Sequence, residues 1–379
     1  MQYQYNEEQT QIKDMFGKFV QDQYGYDRHL ALCKSERGFS EDHWQRFAEL
    51  GLLGLPFSES DGGLGVDGGF LMAIAEEFGR GLVLEPYIAT VVLAGGLLAR
   101  ADNREMREAL LPRVIAGEFK LCLAWEERAS RGQPLTVSVT AKSNQAGDKI
   151  ILNGQKIVVL GLAAADKVIV TAVSEEGCVN AYLLDPATVG VQIQGQTLVD
   201  GQRAGQFQLT EVEVSADAAL FSDGNAELGL SDVVNEALLI MAADGLGAMD
   251  QLLALSVDYC KTRQQFGVPI ATFQALQHRL ADMMIACEKT RSLMWAAYQA
   301  QGSVEFGERV AMLKAQIGSA GRYVGQQAVQ LHGGIGMTEE LSVGAYFKRL
   351  TVIDLLCGNR DDQLTYLAQL QTQRALAAA

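Results

Sequence analysis

Histidine is scarce in this chain, its cysteines do not cluster, and positive charge is outweighed by negative. Four histidines and six cysteines are spread over 379 residues. Cys33, Cys122, Cys178, Cys260, Cys287 and Cys357 contain no Cys-x-x-Cys spacing, which speaks against a structural zinc or a disulfide scaffold. No uninterrupted apolar run is long enough to suggest a membrane span, and the opening Met-Gln-Tyr-Gln-Tyr-Asn-Glu-Glu has neither the basic nor the apolar region of a signal peptide. A cytoplasmic location is therefore expected. Lysine and arginine number 31 against 46 acidic residues, a net charge of −15 that argues against nucleic acid or an anionic membrane as partner. An anionic coenzyme stays open, because a local cluster of cations decides its binding rather than the total.

What is present is the composition of a globular protein, 48% hydrophobic and 20% charged, in a chain too long for one ordinary core. From Glu7 to about Glu118 apolar residues recur at helical spacing, as in Phe47, Leu50, Leu52 and Leu53 and again in Phe70, Ile74 and Phe78. Residues 1–118 are predicted as an all-helical domain, with Pro56 and the Asp61 to Gly69 run as a long loop. Short branched segments then take over: Lys120–Ala124, Leu135–Val139, Lys149–Leu152, Lys156–Val159, Lys167–Val170, Ala181–Leu184 and Gln206–Leu209. Asn153-Gly154 reads as a hairpin. Residues 119–228 are thus a β domain, and helical periodicity returns after Asp232, making 229–379 a helical bundle. The fold class is α+β.

The most informative stretch is Tyr259-Cys-Lys-Thr-Arg-Gln-Gln-Phe-Gly-Val-Pro-Ile, followed by Phe273-Gln274 and a further helical run. It sets a cation, an aromatic ring and an amide at a turn between two apolar helices. Arg263 offers a forked donor set suited to a diphosphate, Phe266 a face for a flat ring, and Gln274 an amide. Later, Gln330-Leu-His-Gly-Gly-Ile-Gly336 adds a second amide and, at Gly333 and Gly334, a turn that backbone and ligand can approach closely. Taken singly, Arg263 reads equally as a solvated helix-end cation and the glycine pair as an ordinary turn. Together they read as a nucleotide clamp.

These two motifs, with Asp61-Gly-Gly-Leu-Gly65 as an early glycine turn, resemble the acyl-CoA dehydrogenase family over nearly the whole chain. The resemblance implies an N-terminal helical domain, a β-barrel-like middle domain and a C-terminal four-helix bundle. It also implies FAD as cofactor, an acyl-CoA thioester desaturated at Cα–Cβ, electron-transfer flavoprotein as acceptor and a tetramer. In the family, residues matching Arg263, Phe266, Gln274, Gln330, Gly333 and Gly334 reach across a subunit interface to a neighbour's FAD.

Other positions depart from the pattern. Desaturation needs a carboxylate to take the α proton, donors to hold the carbonyl oxygen and a flavin to accept hydride. The family's Glu-Gly pair falls on Cys357-Gly358, so the base is missing there and Cys357 reads as a small apolar filler. The alternative place on the first C-terminal helix falls on Ala237, next to Glu236. One residue turns a helical side chain by about 100°, so Glu236 would serve only if the helix entry is shifted. Otherwise it is a dipole-favoured glutamate in a first turn. The segments expected to line the flavin read Ala124-Trp-Glu-Glu-Arg128 and Ile157-Val-Val-Leu-Gly161. Val158 and Leu160 offer no donor to a flavin edge, and Glu126 brings negative charge toward an anionic dinucleotide.

A donated half kept and a receiving half lost imply a heteromeric acyl-CoA dehydrogenase, with a homologous subunit as partner. Within the family, Leu84-Glu-Pro-Tyr-Ile-Ala-Thr-Val-Val and Arg263-Gln-Gln-Phe-Gly-Val-Pro-Ile most resemble the small subunit of pimeloyl-CoA dehydrogenase and, second, the paired steroid dehydrogenases, implying a bulky or dicarboxylic acyl chain. Two alternatives remain: a self-sufficient homotetramer with Glu236 as base, and a non-catalytic structural homologue.

Overall fold

The computed structural model describes residues 4–222 and 226–377. Helices α1 (Glu7–Gln23), α2 (Tyr26–Lys34), α3 (Glu41–Glu49) and α4 (Gly68–Gly81) lead into a π-helical segment, Ile88–Gly95, that continues as α5 (Gly96–Ala99) and is followed by α6 (Arg104–Ile115). Seven strands come next: β1 (Leu121–Ala124), β2 (Thr140–Ser143), β3 (Lys149–Lys156), β4 (Lys167–Val173), β5 (Val179–Leu184), β6 (Val191–Thr197) and β7 (Arg203–Ser215). Helix α7 (Glu227–Thr262) ends in the two-residue strands β8 (Gln264–Gln265) and β9 (Val268–Pro269), before α8 (Gln274–Gln299), α9 (Phe306–His332), α10 (Val343–Leu355) and α11 (Arg360–Ala377). Helices, a curled sheet and helices again follow in chain order, the α+β organisation expected.

Contacts group the chain into two compact units, one of residues 1–30, 69–83 and 238–379 and the other of residues 31–68 and 84–237. In the second unit the strand order is β1-β4-β2-β3-β7-β6, with β5 also paired to β4. Cys122, Val139, Leu152, Val168, Val170, Phe207 and Leu209 fill its core, the burial that pays back the ordering of short branched strands.

Three strand expectations are corrected. Leu135–Val139 forms no strand, because the Ser138 and Val139 N–H groups donate to the Glu127 carboxylate instead of to a ladder. Asn153-Gly154 makes no hairpin: β3 runs straight through it, with a bulge beside Gly154 at φ 136°. The Asn153 side chain bridges to Glu211 on β7 rather than closing a turn. Ile157–Val159 lies beyond β3, whereas the unforeseen β6 is a glutamine-rich edge strand, largely exposed and so without apolar alternation.

In the first unit α9 packs against α8, α10 and α11. α4 and α7 meet at two glycines: a Cβ at Gly79 would sit 1.7 Å from the Asp244 carbonyl oxygen, and one at Gly247 would sit 1.8 Å from that of Glu76. Close to this crossing the buried Arg349 donates to Asp244 at 3.0 Å and to the Val83 carbonyl at 2.7 Å. By length and composition α7 resembles a membrane span, yet most of its apolar window is buried within the protein.

Candidate functional site

The clamp grows out of how α7 stops. The Arg263 N–H makes the last helical bond, to the Tyr259 carbonyl at 2.8 Å, and the Arg263 carbonyl then accepts from Ile270 at 2.8 Å. Between them β8 and β9 form a minimal hairpin whose turn is Phe266-Gly267, with Phe266 at φ 54° and Gly267 at φ 80°. A left-handed phenylalanine is strained, and it leaves the ring 92% exposed. Phe273 meets that ring edge-on, centroids 6.1 Å apart. Arg263 is exposed, and among the described residues nothing accepts a hydrogen bond from its guanidinium. Gln274 opens α8 and is exposed as well.

The second motif closes α9. Gln330 is exposed in its last turn, and Gly333 stops the helix at φ 66°. A Cβ at Gly333 or Gly334 would meet nothing within 4 Å, so this turn presents open backbone. The two motifs, distant in sequence, are joined by a contact that reading them separately did not reveal: the Tyr259 and His332 rings stack with centroids 4.4 Å apart. All six expected binding residues therefore belong to the helical unit, on exposed positions at linked helix ends.

The flavin-edge segment in the sheet unit is built differently. Val159 and Leu160 are buried, and Val158 is half-buried at φ 49°, an outlier for a β-branched residue. Every second residue of this backbone is committed: Val159 exchanges hydrogen bonds with Gly205 at 2.8 and 3.0 Å, the Ile157 N–H donates to the Glu126 carbonyl, and the Gly161 N–H donates to the Arg203 carbonyl. Gly161 lies against Ala89, 2.9 Å from where its Cβ would stand. Trp125 is buried beside an ion pair between Lys156 and Glu127, whose Nζ and Oε1 are 2.7 Å apart. Burial pushes the Lys156 ammonium down to about 8, while the Glu127 carboxyl, which burial alone would raise, is held below its usual range by Lys156 and by donors from Ser138 and Val139.

The candidate catalytic positions also take definite places. Glu236 is not in a first turn, since α7 begins at Glu227; its carboxylate lies 2.7 Å from Arg100, which also donates to the Gly96 carbonyl. The adjacent Ala237 is fully buried. Cys357 is buried at φ 55°, just past α10, and its carbonyl accepts from Gln363. The preceding carbonyls of Ile353 and Asp354 accept from the buried Lys314 ammonium, which fixes this turn.

The order of helices, curled sheet and helices is that of the acyl-CoA dehydrogenase fold. The chain's residues 6–118 match the acyl-CoA dehydrogenase N-terminal domain and residues 232–370 the acyl-CoA dehydrogenase C-terminal domain. It is 30% identical to a variant of the Tcur3481–Tcur3483 steroid ACAD, over 98% of this chain and 99% of that one, with a TM-score of 0.88. The ChsE4–ChsE5 complex of Mycobacterium tuberculosis shares the fold at 24% identity and a TM-score of 0.89, covering 98% of this chain and 99% of that one. A probable acyl-CoA dehydrogenase of Bacillus subtilis, YngJ, is 25% identical over 380 residues, 97% of this chain and 99% of its own. The chain belongs to the acyl-CoA dehydrogenase family. Its activity is that of an acyl-CoA oxidoreductase and its cofactor is FAD.

The residues fit that cofactor unevenly. Exposed Arg263, Gln274 and Gln330, the Phe266 face and the open Gly333-Gly334 backbone suit an adenosine diphosphate half. Val158 and Leu160 bring no side-chain donor, and the flanking Ile157, Val159 and Gly161 N–H groups are spent within the protein, so the side chains of this segment do not suit the polar edge of an isoalloxazine.

Proposed function

We propose that this chain is the flavin-clamping subunit of a heteromeric acyl-CoA dehydrogenase, assembled with a homologous subunit whose FAD it helps to hold. One observation carries this reading: the clamp is exposed and uncommitted, while the segment that should meet the flavin ring offers only apolar side chains at Val158 and Leu160. Such a chain contributes half a site and needs a neighbour for the other half. FAD, when bound, would supply the hydride acceptor. Arg263 supplies charge to its diphosphate, Gln274 and Gln330 supply amide donors, and Phe266 shields the ring from water. The likeness to a two-component steroid ACAD supports a heterotetramer and a bulky acyl group; a dicarboxylic chain, a cytoplasmic setting and electron-transfer flavoprotein as acceptor are further parts of the proposal.

Purification decides among the readings. Expressed alone, the chain is expected to be colourless, and expressed with the homologue that co-purifies from its native cell it is expected to be yellow. Flavin at one per chain in the isolated protein would instead establish the self-sufficient homotetramer, and no flavin with any partner would leave a structural homologue. Glu236 is the candidate base of the homotetramer, where proton transfer would have to compete with its bond to Arg100. In the complex, Glu236→Gln is expected to leave α-proton exchange intact; its abolition with assembly preserved would make Glu236 the base.

A further inference from the structure

We infer that the stacked pair Tyr259 and His332 is the positioning element that sets the gap across the clamp, so that Arg263 and the Gly333-Gly334 turn grip one diphosphate from two sides. This rests on the clamp reading above. Tyr259 lies one helical turn before Arg263, and its carbonyl accepts the Arg263 N–H at 2.8 Å, so moving Tyr259 moves the base of the guanidinium arm. His332 immediately precedes Gly333 and is itself fixed by its Nδ1, 2.8 Å from the Ala328 carbonyl oxygen. The rings meet at 4.4 Å and 30°, an offset aromatic contact in a place where His332 is buried. Gly336 packs close to the same residue, since a Cβ there would lie 2.9 Å from the His332 Cβ, so the glycine turn folds back onto the residue that carries the ring. Neither ring is exposed as a ligand contact in the way Phe266 is. Their chemistry is that of a strut between two helix ends that carry the exposed groups.

The test uses the co-expressed complex and measures FAD release by the rise of free-flavin fluorescence after dilution. Tyr259→Ala should speed release roughly tenfold, the order of one lost aromatic pair, with subunit stoichiometry unchanged. Tyr259→Phe and His332→Phe, which keep two stacked rings, should release at the native rate. In an Arg263→Ala background, Tyr259→Ala should add little, because the strut acts through that arginine. If Tyr259→Ala does not assemble, Tyr259→Leu fills the volume without an aromatic face and makes the same comparison. Native release from Tyr259→Ala together with faster release from Arg263→Ala would overturn the strut and leave the clamp standing. Unchanged release from Arg263→Ala would overturn the clamp itself. Fully additive losses would show that Tyr259 acts by general packing and would also overturn the strut. Amide exchange at residues 263–268 and 333–337 in the isolated chain gives a flavin-free check: it should rise in Tyr259→Ala at both segments, and a rise at one alone would contradict the coupling.

Discussion

Replacing Lys156 by methionine should destabilise the sheet unit by about 3–5 kcal/mol, the cost of leaving a buried charge without its partner. The lysine is fully buried, and its ammonium donates to Glu127 at 2.7 Å, Thr171 at 2.9 Å and the Trp125 carbonyl at 3.3 Å. Thr171 lies in β4 and Trp125 and Glu127 just past β1, so Lys156, at the end of β3, ties its own strand to β4 and to the segment that follows β1. Methionine restores the volume but leaves the Glu127 carboxylate buried, with the Ser138 N–H and hydroxyl and the Val139 N–H as its remaining donors. The sign of the pH dependence follows. The native Glu127 carboxyl is held below the ordinary value of 4.5, so the pair's stabilisation is present above that value and fades as acid protonates the folded carboxylate. In the variant a protonated Glu127 needs no counter-ion, so the deficit should shrink below about pH 4.5. Lys156 acts in the same sense at higher pH: with its folded value near 8 against an ordinary 10.5, the unfolded chain holds more protons between those limits, and this group lets wild-type stability rise with pH there. Urea midpoints of the full chain, with amide exchange over β1 and β3, read all of this. A loss under 1 kcal/mol at neutral pH would refute the reasoning, as would a Lys156→Met, Glu127→Leu double variant no better than the single one, since removing both charges should recover most of the deficit.

Gly79→Ala should cost roughly 3 kcal/mol, because its Cβ would lie 1.7 Å from the Asp244 carbonyl and must push α4 off α7; the urea midpoint of the full chain measures it. Cys357→Ala should leave activity of the assembled enzyme unchanged and shift stability by less than about 1.5 kcal/mol, as for a buried filler; a large fall in turnover with assembly intact would return Cys357 to the chemistry. Arg349→Met should cost about 3–5 kcal/mol by stripping the buried Asp244 carboxylate of its guanidinium, read as a drop in Tm.

Helical periodicity made the two helical segments and the branched strands readable, because burial on one face imposes a repeat on the sequence. The helix-end positions of the proposed clamp were readable for a different reason. Arg263, Phe266 and Gly333 sit where helices stop, and stopping a helix demands particular residue types. What could not be read was set by contacts distant in sequence. Ser138 and Val139 look like strand residues but give their N–H groups to a carboxylate eleven or twelve positions earlier. The stack of Tyr259 on His332 joins two motifs that each look complete alone. The start of α7 was placed too late, after Asp232, since Leu228 is an exposed apolar residue that does not mark a buried face. Val158 at φ 49° carries no sequence signature at all, because its strain exists only once Val159 and Gly161 are bonded to β7.

The account turns on a clamp that serves a neighbour's flavin while this chain's own ring-facing segment offers only apolar side chains at Val158 and Leu160. Counting FAD against the two polypeptides in the complex purified from the native cell tests that most directly. One FAD for each pair of unlike chains is expected. One FAD for every chain, this one included, would contradict the account.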